Sequence, residues 1–494
     1  MKDFKEFIPL LHSKADPVSY GVYPLSVHTI KKTTLFIAKS KEGKVIVSAG
    51  PSVNLVGEKI VIEGTEVVIG ELNHENAKVL RALFPFTAPK KVLSAARTIG
   101  VGDRLGIAGP GHIRVFEKYD AYPVLAQQSV RELTLTNRTF EDVLDAATFA
   151  VFQEGYKKGY GADGDHLKTE KEVETALSLG FSMITLDCSE HMHNEFELMN
   201  KDELDRTYIR FDELEQKYLN KDFDIGEGLT VSFSEEEFKR MVMTYKDVLE
   251  FASFIYDKFF ITGSYDADFE ISIDETSTPT TPAEHFFIAN ELIARKVKFA
   301  TLAPRFCGEF QKGVDYIGDT DQFERELKVH AAIARHFSYK LSLHSGSDKF
   351  RIFEIFGRIT RGNFHVKTAG TNYLEAMKLV AMKDPAFYRK IHAFALTAFD
   401  EVTKYYHVTT DITRIPPVDT LDDQQLVKLF EHNDSRQLIH ITYGPILNKK
   451  DENGSFVFKD ALYALWNTYE QLYSELLFRH IGRHLHQLYR HCQN

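Results

Sequence analysis

Short apolar segments alternate with longer amphipathic segments from about residue 100 to about residue 400. The apolar segments have the length of buried strands, and the amphipathic ones have the apolar spacing of helices. This alternation is typical of a parallel sheet whose strands are joined by helices. The predicted strands are Arg104–Ala108, Pro123–Ala126, Tyr160–His166, Met183–Asp187, Asp268–Asp274, Lys298–Ala303, Lys340–His344 and Asn363–Lys367. The clearest predicted helices are Thr139–Tyr156, Thr169–Leu179, Pro282–Ala294, Asp321–His336 and Tyr373–Met382.

Eight strands with intervening helices favour a (β/α)8 TIM-type barrel over an open sheet, so the predicted fold class is α/β. Two other regions flank the barrel. Residues 20–75 have the pattern of antiparallel hairpins, and the residues after 411 are mostly helical in pattern. We therefore predict a small N-terminal β-rich region (1–95), a catalytic barrel (96–410) with a charged insertion at about 191–230, and a helical C-terminal extension (411–494).

The 494 residues include 60 lysines and arginines and 71 aspartates and glutamates, which gives a formal net charge of −11. This charge argues against a general affinity for nucleic acid phosphates. No apolar run approaches the ~18 residues of a membrane span, and the first residues do not have the pattern of a secretory signal. Cys188, Cys307 and Cys492 show no CxxC spacing, which is typical of reduced thiols. We expect a cytoplasmic protein without nucleic-acid or membrane partners, and its oligomeric state stays open.

Catalytic residues of a TIM-type barrel lie at the carboxyl ends of its strands. The third predicted strand ends with Gly-Ala-Asp-Gly-Asp-His at residues 161–166. Two acids and a histidine at a strand end are costly to bury if they are merely structural. His166 suits a metal, and Asp165 beside it suits a general base. The alternative is an Asp-Gly turn followed by Thr169, which would cap the next helix.

Alternation along the seventh and eighth strands turns polar side chains toward the barrel axis. In the seventh strand His344 points inward, and in the eighth His365 and Lys367 do. Together with His166, the two histidines predict a site for a divalent metal. The alternative is three unrelated core histidines. The small-residue loop after His344 ends at Lys349, which suits a carboxylate or a phosphate.

Alternation along the fifth strand leaves Glu270 and Asp274 inward. Glu270 lies deepest, and we predict it as the second carboxyl group for acid–base work opposite Asp165. A bulge in the strand would substitute Glu275. The alternative for Glu270 is a buried structural pair with an inward lysine such as Lys367.

Several strand ends carry further polar residues that suit contact with a substrate. The predicted substrate-binding residues are Gln128, Asp274, Glu275, Arg305, Lys349 and Lys367. Asp187 and Glu309 are weaker candidates of the same kind. No Walker loop, Gly-x-Ser-x-Gly elbow or paired CxxC is present, and the glycines at 100–111 miss the dinucleotide spacing. The histidines of the last helical segment are interpreted as packing and surface residues: His480, His484, His486 and His491.

Four of these segments resemble one known family. They are Gly161-Ala-Asp-Gly-Asp-His-Leu-Lys-Thr169, Phe269-Glu-Ile-Ser-Ile-Asp-Glu-Thr276, Leu343-His-Ser-Gly-Ser-Asp-Lys-Phe350 and Phe364-His-Val-Lys-Thr-Ala-Gly-Thr-Asn-Tyr373. In sequence, length and motif order the chain is similar to the tagaturonate/fructuronate epimerase family, bacterial metal-dependent enzymes of hexuronate catabolism. The resemblance implies interconversion of D-tagaturonate and D-fructuronate with a divalent metal cation. Histidine-rich ligands permit zinc, manganese, nickel or iron.

The two sugars implied by the resemblance differ at the carbinol carbon β to the ketone. The carbonyl does not acidify the C–H bond there, so simple enolisation cannot invert this carbon. Transient oxidation would need a nicotinamide cofactor, for which the sequence offers no clear site. We therefore expect retro-aldol cleavage, in which Asp165 takes the hydroxyl proton and Glu270 returns one. Lys349, Lys367 or Arg305 would hold the substrate carboxylate.

Two other functions fit the same residues. A metal-dependent sugar isomerase or aldolase would use the same barrel, metal and carboxyl pair. A noncatalytic sugar-binding barrel protein would instead present inward aromatic residues and hold no metal. Barrels host many functions, so the fold alone does not decide between these readings.

Overall fold

The structure is a computed structural model that describes residues 2–41, 43–51 and 53–490. His491, Cys492 and the end of the predicted C-terminal extension lie outside the described residues. The strands are β1 His28–Ile30, β2 Thr33–Lys39, β3 Lys44–Ala49, β4 Glu58–Ile62, β5 Thr65–Glu71, β6 Arg97–Val101, β7 Tyr122–Ser129, β8 Gly161–Leu167, β9 Met183–Asp187, β10 Asp222–Asp224, β11 Thr230–Ser232, β12 Asp268–Ile273, β13 Thr301–Pro304, β14 Lys340–Leu343 and β15 Phe364–Thr368. The α-helices are α1 His74–Leu83, α2 Gly109–Lys118, α3 Val130–Thr136, α4 Phe140–Glu154, α5 Glu170–Leu179, α6 Glu195–Leu198, α7 Lys201–Thr207, α8 Asp212–Tyr218, α9 Glu235–Ile255, α10 Pro282–Ala294, α11 Thr320–His336, α12 Phe350–Ile359, α13 Thr371–Lys383, α14 Pro385–Val402, α15 Asp423–Lys428, α16 Asn433–Ile441, α17 Tyr443–Asn448, α18 Lys459–Thr468 and α19 Glu470–Tyr489. In the described part of the chain, no helix is long and apolar enough to cross a membrane.

Eight parallel strands close into a barrel in the order β6, β7, β8, β9, β12, β13, β14 and β15, and β15 pairs with β6. The predicted (β/α)8 fold class is therefore confirmed. The apolar residues of the predicted alternation, such as Ile271, Leu341 and Val366, are buried in the large core cluster that the barrel shares with its helices. Their polar neighbours along each strand consequently face the barrel axis.

The first barrel strand is β6, and the predicted strand at Arg104–Ala108 is wrong. Asp103 gives the physical reason. Its carboxylate accepts hydrogen bonds from three backbone N–H groups of the predicted segment, at 3.1, 2.9 and 2.7 Å. Since these donors are satisfied locally and Gly106 has a φ of +74°, the segment forms a loop instead of pairing in the sheet.

The N-terminal strands form an antiparallel sheet in the order β1-β2-β3-β5-β4. One face of this sheet packs on α1 and on the barrel helix α4. Leu35 and Ile46 of the sheet, Leu80 of α1 and Phe152 of α4 share one buried cluster. The N-terminal sheet is thus attached to the outside of the barrel through α4.

The charged insertion folds as α6, α7, α8 and the β10–β11 hairpin, and it is anchored to outer helices of the barrel. Lys217 and Tyr218 both donate to the carboxylate of Glu291 on α10, at 2.6 and 2.7 Å. Glu227 beside the hairpin forms an ion pair with Arg335 at the end of α11, at 2.7 Å. The insertion therefore extends along the flank of the barrel.

The last described helix completes the ring of helices around the barrel. α13, which follows β15, packs with α14–α18 in a separate helical core that includes Leu438 and Trp466. The place beside β15 and β6 is taken by α19, which packs between α12 and α2. Ile481 and Leu485 of α19 belong to the barrel core, and Leu477 belongs to the separate helical core. α19 thus joins the two cores.

Gly357 on α12 marks the closest approach to α19. A Cβ at this position would be in hard contact with the backbone carbonyl of Leu488. We expect Gly357→Ala to lower the free energy of unfolding by about 1–3 kcal/mol, because backbone must move to make room. Thermal unfolding followed by circular dichroism measures this loss. Gly482→Ala is the matched control, since its Cβ would meet Tyr119 only at 3.9 Å, and an equal loss in both variants would contradict the prediction.

Candidate active site

The third barrel strand, β8, delivers neighbouring polar residues to the mouth of the barrel. Asp163 and Asp165 are two residues apart and share the inward face. His166 would normally point outward, but the register of β8 against β9 shifts between Gly164 and Leu167. His166 also has a φ of +53°, in the left-handed region. This irregularity lets the His166 side chain line the same cavity as Asp165.

Lys367 on β15 is the centre of a buried polar network. Its Nζ donates to Asp163 Oδ2 and to Asp165 Oδ1, at 2.7 Å in each case. Nζ also lies 2.9 Å from Glu270 Oε1 and donates to the hydroxyl of Thr185. Three carboxylates therefore surround a single buried ammonium group.

The charges of this network shift the pKa values of its members. Burial alone would lower the pKa of Lys367, but Asp163, Asp165 and Glu270 raise it well above its ordinary value. Burial raises the pKa of Asp163 to about 6. Burial also opposes ionisation of Asp165, yet Lys367 and His166 hold the pKa of Asp165 below its ordinary value. Asp165 is therefore kept as a carboxylate, ready to accept a proton.

Glu270 on β12 is fully buried and accepts hydrogen bonds from several groups. The hydroxyls of Thr185 and Thr301 donate to it at 3.1 and 2.5 Å, and His344 Nε2 donates at 2.8 Å. Burial would raise the pKa of Glu270, but Lys367 and His344 hold it well below its ordinary value. This arrangement is the pair with Lys367 that the sequence left open as the alternative. It does not favour Glu270 as a proton donor.

His166, Asp274 and His344 form a group that fits a metal ion. One ligand atom of each lies within 4.8 Å of the others. Among the described residues, His344 Nδ1 is buried without a hydrogen-bond partner, and it lies 3.3 Å from Asp274 Oδ2. Burial would lower the pKa of His344, but Asp274 and Glu270 raise it to about 10. A divalent cation is suited to this group, because two imidazoles and a carboxylate can bind it and the carboxylates around His344 favour positive charge.

Two carboxylates orient the imidazoles of this group. Glu270 accepts from His344 Nε2, which leaves Nδ1 facing Asp274. Asp187, at the end of β9, lies with Oδ2 3.4 Å from His166 Nδ1. Asp187 also forms an overlapping group with His166 and the exposed Glu275. Carboxylates that hold the second nitrogen of an imidazole are the usual support of a metal-binding histidine.

His365, the third histidine predicted as a ligand, stays outside this group. His365 precedes Lys367 by two residues on β15, so it lies one layer deeper in the barrel, further from the carboxyl ends of the strands. Its Nδ1 is hydrogen-bonded to Thr98 Oγ1 at 2.9 Å, and burial lowers the pKa of His365 to about 3. The structure therefore gathers His166 and His344 with Asp274 and leaves His365 in the layer below.

Above the network the barrel opens into a small cavity of about 80 Å³. Loops that follow β13, β14 and β15 complete its walls. The residues that line this cavity include Gln127, Asp165, His166, Lys312, His344, Ser345, Lys349, Lys367, Ala369 and Gly370.

Comparison with known proteins relates this site to one family. The family model of tagaturonate epimerase matches residues 23–488. A tagaturonate/fructuronate epimerase of Thermotoga maritima is 42% identical over 472 residues, which cover 94% of this chain and 96% of that protein. Crystal structures of fructuronate-tagaturonate epimerase from Cohnella laeviribosi match with TM-scores of 0.92 and 0.93, at 48% and 47% identity. These matches cover 95% and 98% of this chain, and 97% and 99% of those chains.

The chain belongs to the tagaturonate epimerase family.

The predicted family and the predicted enzyme class, an epimerase, are thereby confirmed. Two residues predicted to hold the substrate of this epimerase donate hydrogen bonds to backbone carbonyls of the protein. Lys349 Nζ donates to the carbonyl oxygens of Gln311, Val314 and Ser347 at 3.0, 2.7 and 2.9 Å. Arg305 donates to a backbone carbonyl of the loop after β12. Lys349 thus ties the loops after β13 and β14 together.

The glutamine of β7 that lines the cavity of the epimerase is Gln127, where the sequence predicted Gln128. The register of β7 against β8 shifts between Val124 and Ala126. Gln127 is consequently paired with Asp163 of the inward face. Gln128 accepts a hydrogen bond from Arg138 at 2.8 Å and is turned away from the cavity.

Three further residues of the epimerase site were given no role from the sequence. Asp163 precedes Asp165 by two positions, so the alternation of β8 was a usable signal for it. Thr185 lies two positions before Asp187 on β9, so the alternation of that strand was a usable signal for it as well. Lys312 lies in the loop after β13 and carries no signal in the sequence. These residues supply, respectively, a carboxylate, a hydroxyl and an ammonium group to the site.

Proposed function

We propose that this epimerase interconverts D-tagaturonate and D-fructuronate, that it requires a divalent cation, and that it works by retro-aldol cleavage and re-addition. One observation carries the proposal. A carboxylate base, Asp165, shares a cavity with His166 and His344, and Asp274 joins the two histidines as a ligand set. The relatives named for these two sugar acids align with nearly the whole chain.

His166, Asp274 and His344 would hold the cation. Mixed imidazole and carboxylate ligands are compatible with zinc, manganese, nickel and iron. When bound, a divalent cation supplies Lewis-acid stabilisation of the negative charge that develops on the ketone oxygen of the substrate. The free buried thiols of Cys188 and Cys307 support a cytoplasmic location, which we propose together with this function.

Asp165 takes the proton from the hydroxyl group on the carbon that is inverted. The oxygen then forms a carbonyl, and the bond to the neighbouring carbon on the ketone side breaks and leaves its electron pair on the ketone fragment. The freed aldehyde rotates, and the ketone fragment adds to its opposite face. The protonated Asp165 returns its proton to the new alkoxide. Lys367 supports the cycle because it hydrogen-bonds to the carboxylate form of Asp165.

Glu270, the residue predicted as the second acid, has contacts that support a positioning role. It accepts from His344 Nε2 and from two threonine hydroxyls, and it lies beside Lys367. In this role it fixes the imidazole of His344 and balances the charge of Lys367. One residue, Asp165, then carries the proton in both directions.

An NMR time course with D-fructuronate tests the function and its cation dependence. We expect D-tagaturonate to form with cation-loaded protein, to stop forming after chelation, and to form again when zinc, manganese, nickel or iron(II) is restored. In D₂O we expect no deuterium at the inverted carbon, because retro-aldol chemistry never breaks its C–H bond. Full conversion by the chelated protein would contradict the cation requirement, and deuterium at that carbon would contradict the route.

Metal content of two histidine variants tests the ligand set. His344→Ala is expected to lose the cation, because it removes the imidazole between Asp274 and Glu270. His365→Ala is the control, and it is expected to keep the cation as measured by elemental analysis. Loss of the cation from His365→Ala alone would return that histidine to the ligand set.

A sugar isomerase or an aldolase is the second candidate, because the same base and ligand set serve either reaction. Formation of an aldose, or release of free three-carbon fragments, in the time course would favour it. Absence of turnover by protein with a verified cation would favour a noncatalytic sugar-binding protein.

A further inference from the structure

Lys312 is the lysine of the active-site cavity that keeps unused hydrogen-bonding capacity. Its Nζ donates to Ser345 Oγ at 3.2 Å, the single hydrogen bond of this ammonium group among the described residues. Lys367 by contrast donates to or contacts three carboxylates, and Lys349 donates to three carbonyl oxygens. An ammonium group has three donors. Two donors of Lys312 are therefore left for a ligand in the cavity.

The charge of Lys312 is also left without a close partner. Within the described ranges no carboxylate lies within 4.0 Å of its Nζ. Glu132, an acidic neighbour that lines the cavity, is committed to Arg104, whose Nε and Nη2 lie 2.8 and 2.7 Å from it. Burial lowers the pKa of Lys312, and Glu132 and Asp165 act against this effect. A half-buried cation in such surroundings gains free energy when an anion binds beside it.

The loop after β15 adds to this preference for an anion. Ala369 and Gly370 line the cavity at the N-terminus of α13, a helix of 13 residues. Gly370 caps this helix without a side-chain acceptor, and the dipole of α13 places partial positive charge at this end. In TIM-type barrels the loops after the seventh and eighth strands commonly bind anions.

The side-chain oxygen of Gln127 gives the same cavity a preference for a ligand with hydrogen-bond donors. Its Oε1 is buried and has no hydrogen-bond partner among the described residues. A buried amide oxygen without a donor is costly, and a sugar hydroxyl supplies the missing donor. The cavity thus combines an acceptor for hydroxyl groups with an unpaired cation.

We propose that Lys312 binds the carboxylate of the hexuronate substrate and makes the enzyme selective for sugar acids over neutral ketoses. The proposal rests on the function proposed above. In D-fructuronate one carbon separates the carboxylate from the inverted carbon, so the carboxylate of a bound substrate lies near Asp165. Two carboxylates repel each other there, and the Lys367 ammonium is already shared among three carboxylates, so a further cation beside the substrate favours its binding. Lys312, which shares the cavity with Asp165, supplies this cation.

The test compares a charged and a neutral sugar on two variants. D-Fructose carries a CH₂OH group where D-fructuronate carries the carboxylate. In Lys312→Met we expect the KM and the dissociation constant for D-fructuronate to rise about 10- to 100-fold, the range of a hydrogen bond to a charged group. The dissociation constant for D-fructose is expected to change less than about threefold. Lys312→Arg, which keeps the charge, is expected to recover most of the affinity for D-fructuronate.

Lys328→Met is the matched control, because it removes the same charge from an exposed position on α11 and is expected to behave like the unmodified enzyme. Calorimetry measures binding independently of turnover and separates this proposal from the function. If the enzyme binds D-fructuronate through Lys312 without converting it, the proposed function fails and the carboxylate site stands. If Lys312→Met weakens both sugars equally, or neither, with unchanged thermal stability, the proposal for Lys312 is overturned.

Discussion

Replacing Lys367 by methionine is expected to cost about 3–5 kcal/mol of stability and to abolish measurable turnover. Lys367 is the one lysine of the described residues that forms ion pairs with the buried carboxylates of Asp163, Asp165 and Glu270. Removing one partner of a buried ion pair leaves charge without compensation, which is among the most costly of single substitutions. Turnover is lost as well, because the carboxyl groups take up protons and Asp165 stops being a base. Thermal unfolding and the NMR assay measure the two effects.

The double variant Lys367→Met/Glu270→Gln is the control for this prediction. It removes one of the uncompensated carboxylates, so part of the lost stability is expected to return. The deficit of Lys367→Met is also expected to shrink as the pH falls toward 5. Without Lys367 the folded-state pKa values of these carboxyl groups lie above their unfolded values, so the folded state gains stability as they are protonated. A deficit independent of pH and of Glu270 would contradict the charge argument.

The second large effect is expected at Asp165. Asp165→Asn should lower kcat/KM about 10²- to 10⁴-fold, because an amide cannot accept the hydroxyl proton. The cation content should stay unchanged, since Asp165 is outside the ligand set of His166, Asp274 and His344. Asp163→Asn is the matched control. Asp163 bonds the same Lys367 but lies below the cavity, and a smaller loss of activity is expected. Near-normal turnover of Asp165→Asn with its cation intact would exclude Asp165 as the base.

The sequence allowed the inward residues to be predicted where strands are regular. Alternation with a period of two placed Glu270, Asp274, His344 and Lys367 on the barrel axis, and the network they form confirms that placement. The period of two does not show, however, how far along the barrel axis a residue of one strand lies relative to a residue of another strand. The stagger between neighbouring strands sets how far each inward residue lies from the mouth of the barrel. For this reason His365 lies one layer below the group formed by His166, Asp274 and His344.

Irregular backbone and distant contacts explain the other differences. A register shift in β7 exchanges Gln128 for Gln127, and a left-handed residue in β8 brings His166 into the cavity. The position of Lys312 depends on residues more than 100 positions away. Gln437 on α16 donates to the Lys312 carbonyl at 3.1 Å, and Arg436 donates to the Gly313 carbonyl at 2.8 Å. No local pattern encodes such contacts.

The place of α19 in the helix ring also sets an order of events during protein synthesis. β15 leaves the ribosome about 100 residues before α19 does. Until α19 arrives, the apolar flank between α2 and α12 has no cover, even though all eight strands are present. Chains whose synthesis stops before residue 470 therefore expose this apolar surface, which is the kind of surface that chaperones and proteases recognise. Closure of the helix ring thus waits for Glu470–Tyr489, which are synthesised after all eight strands of the barrel.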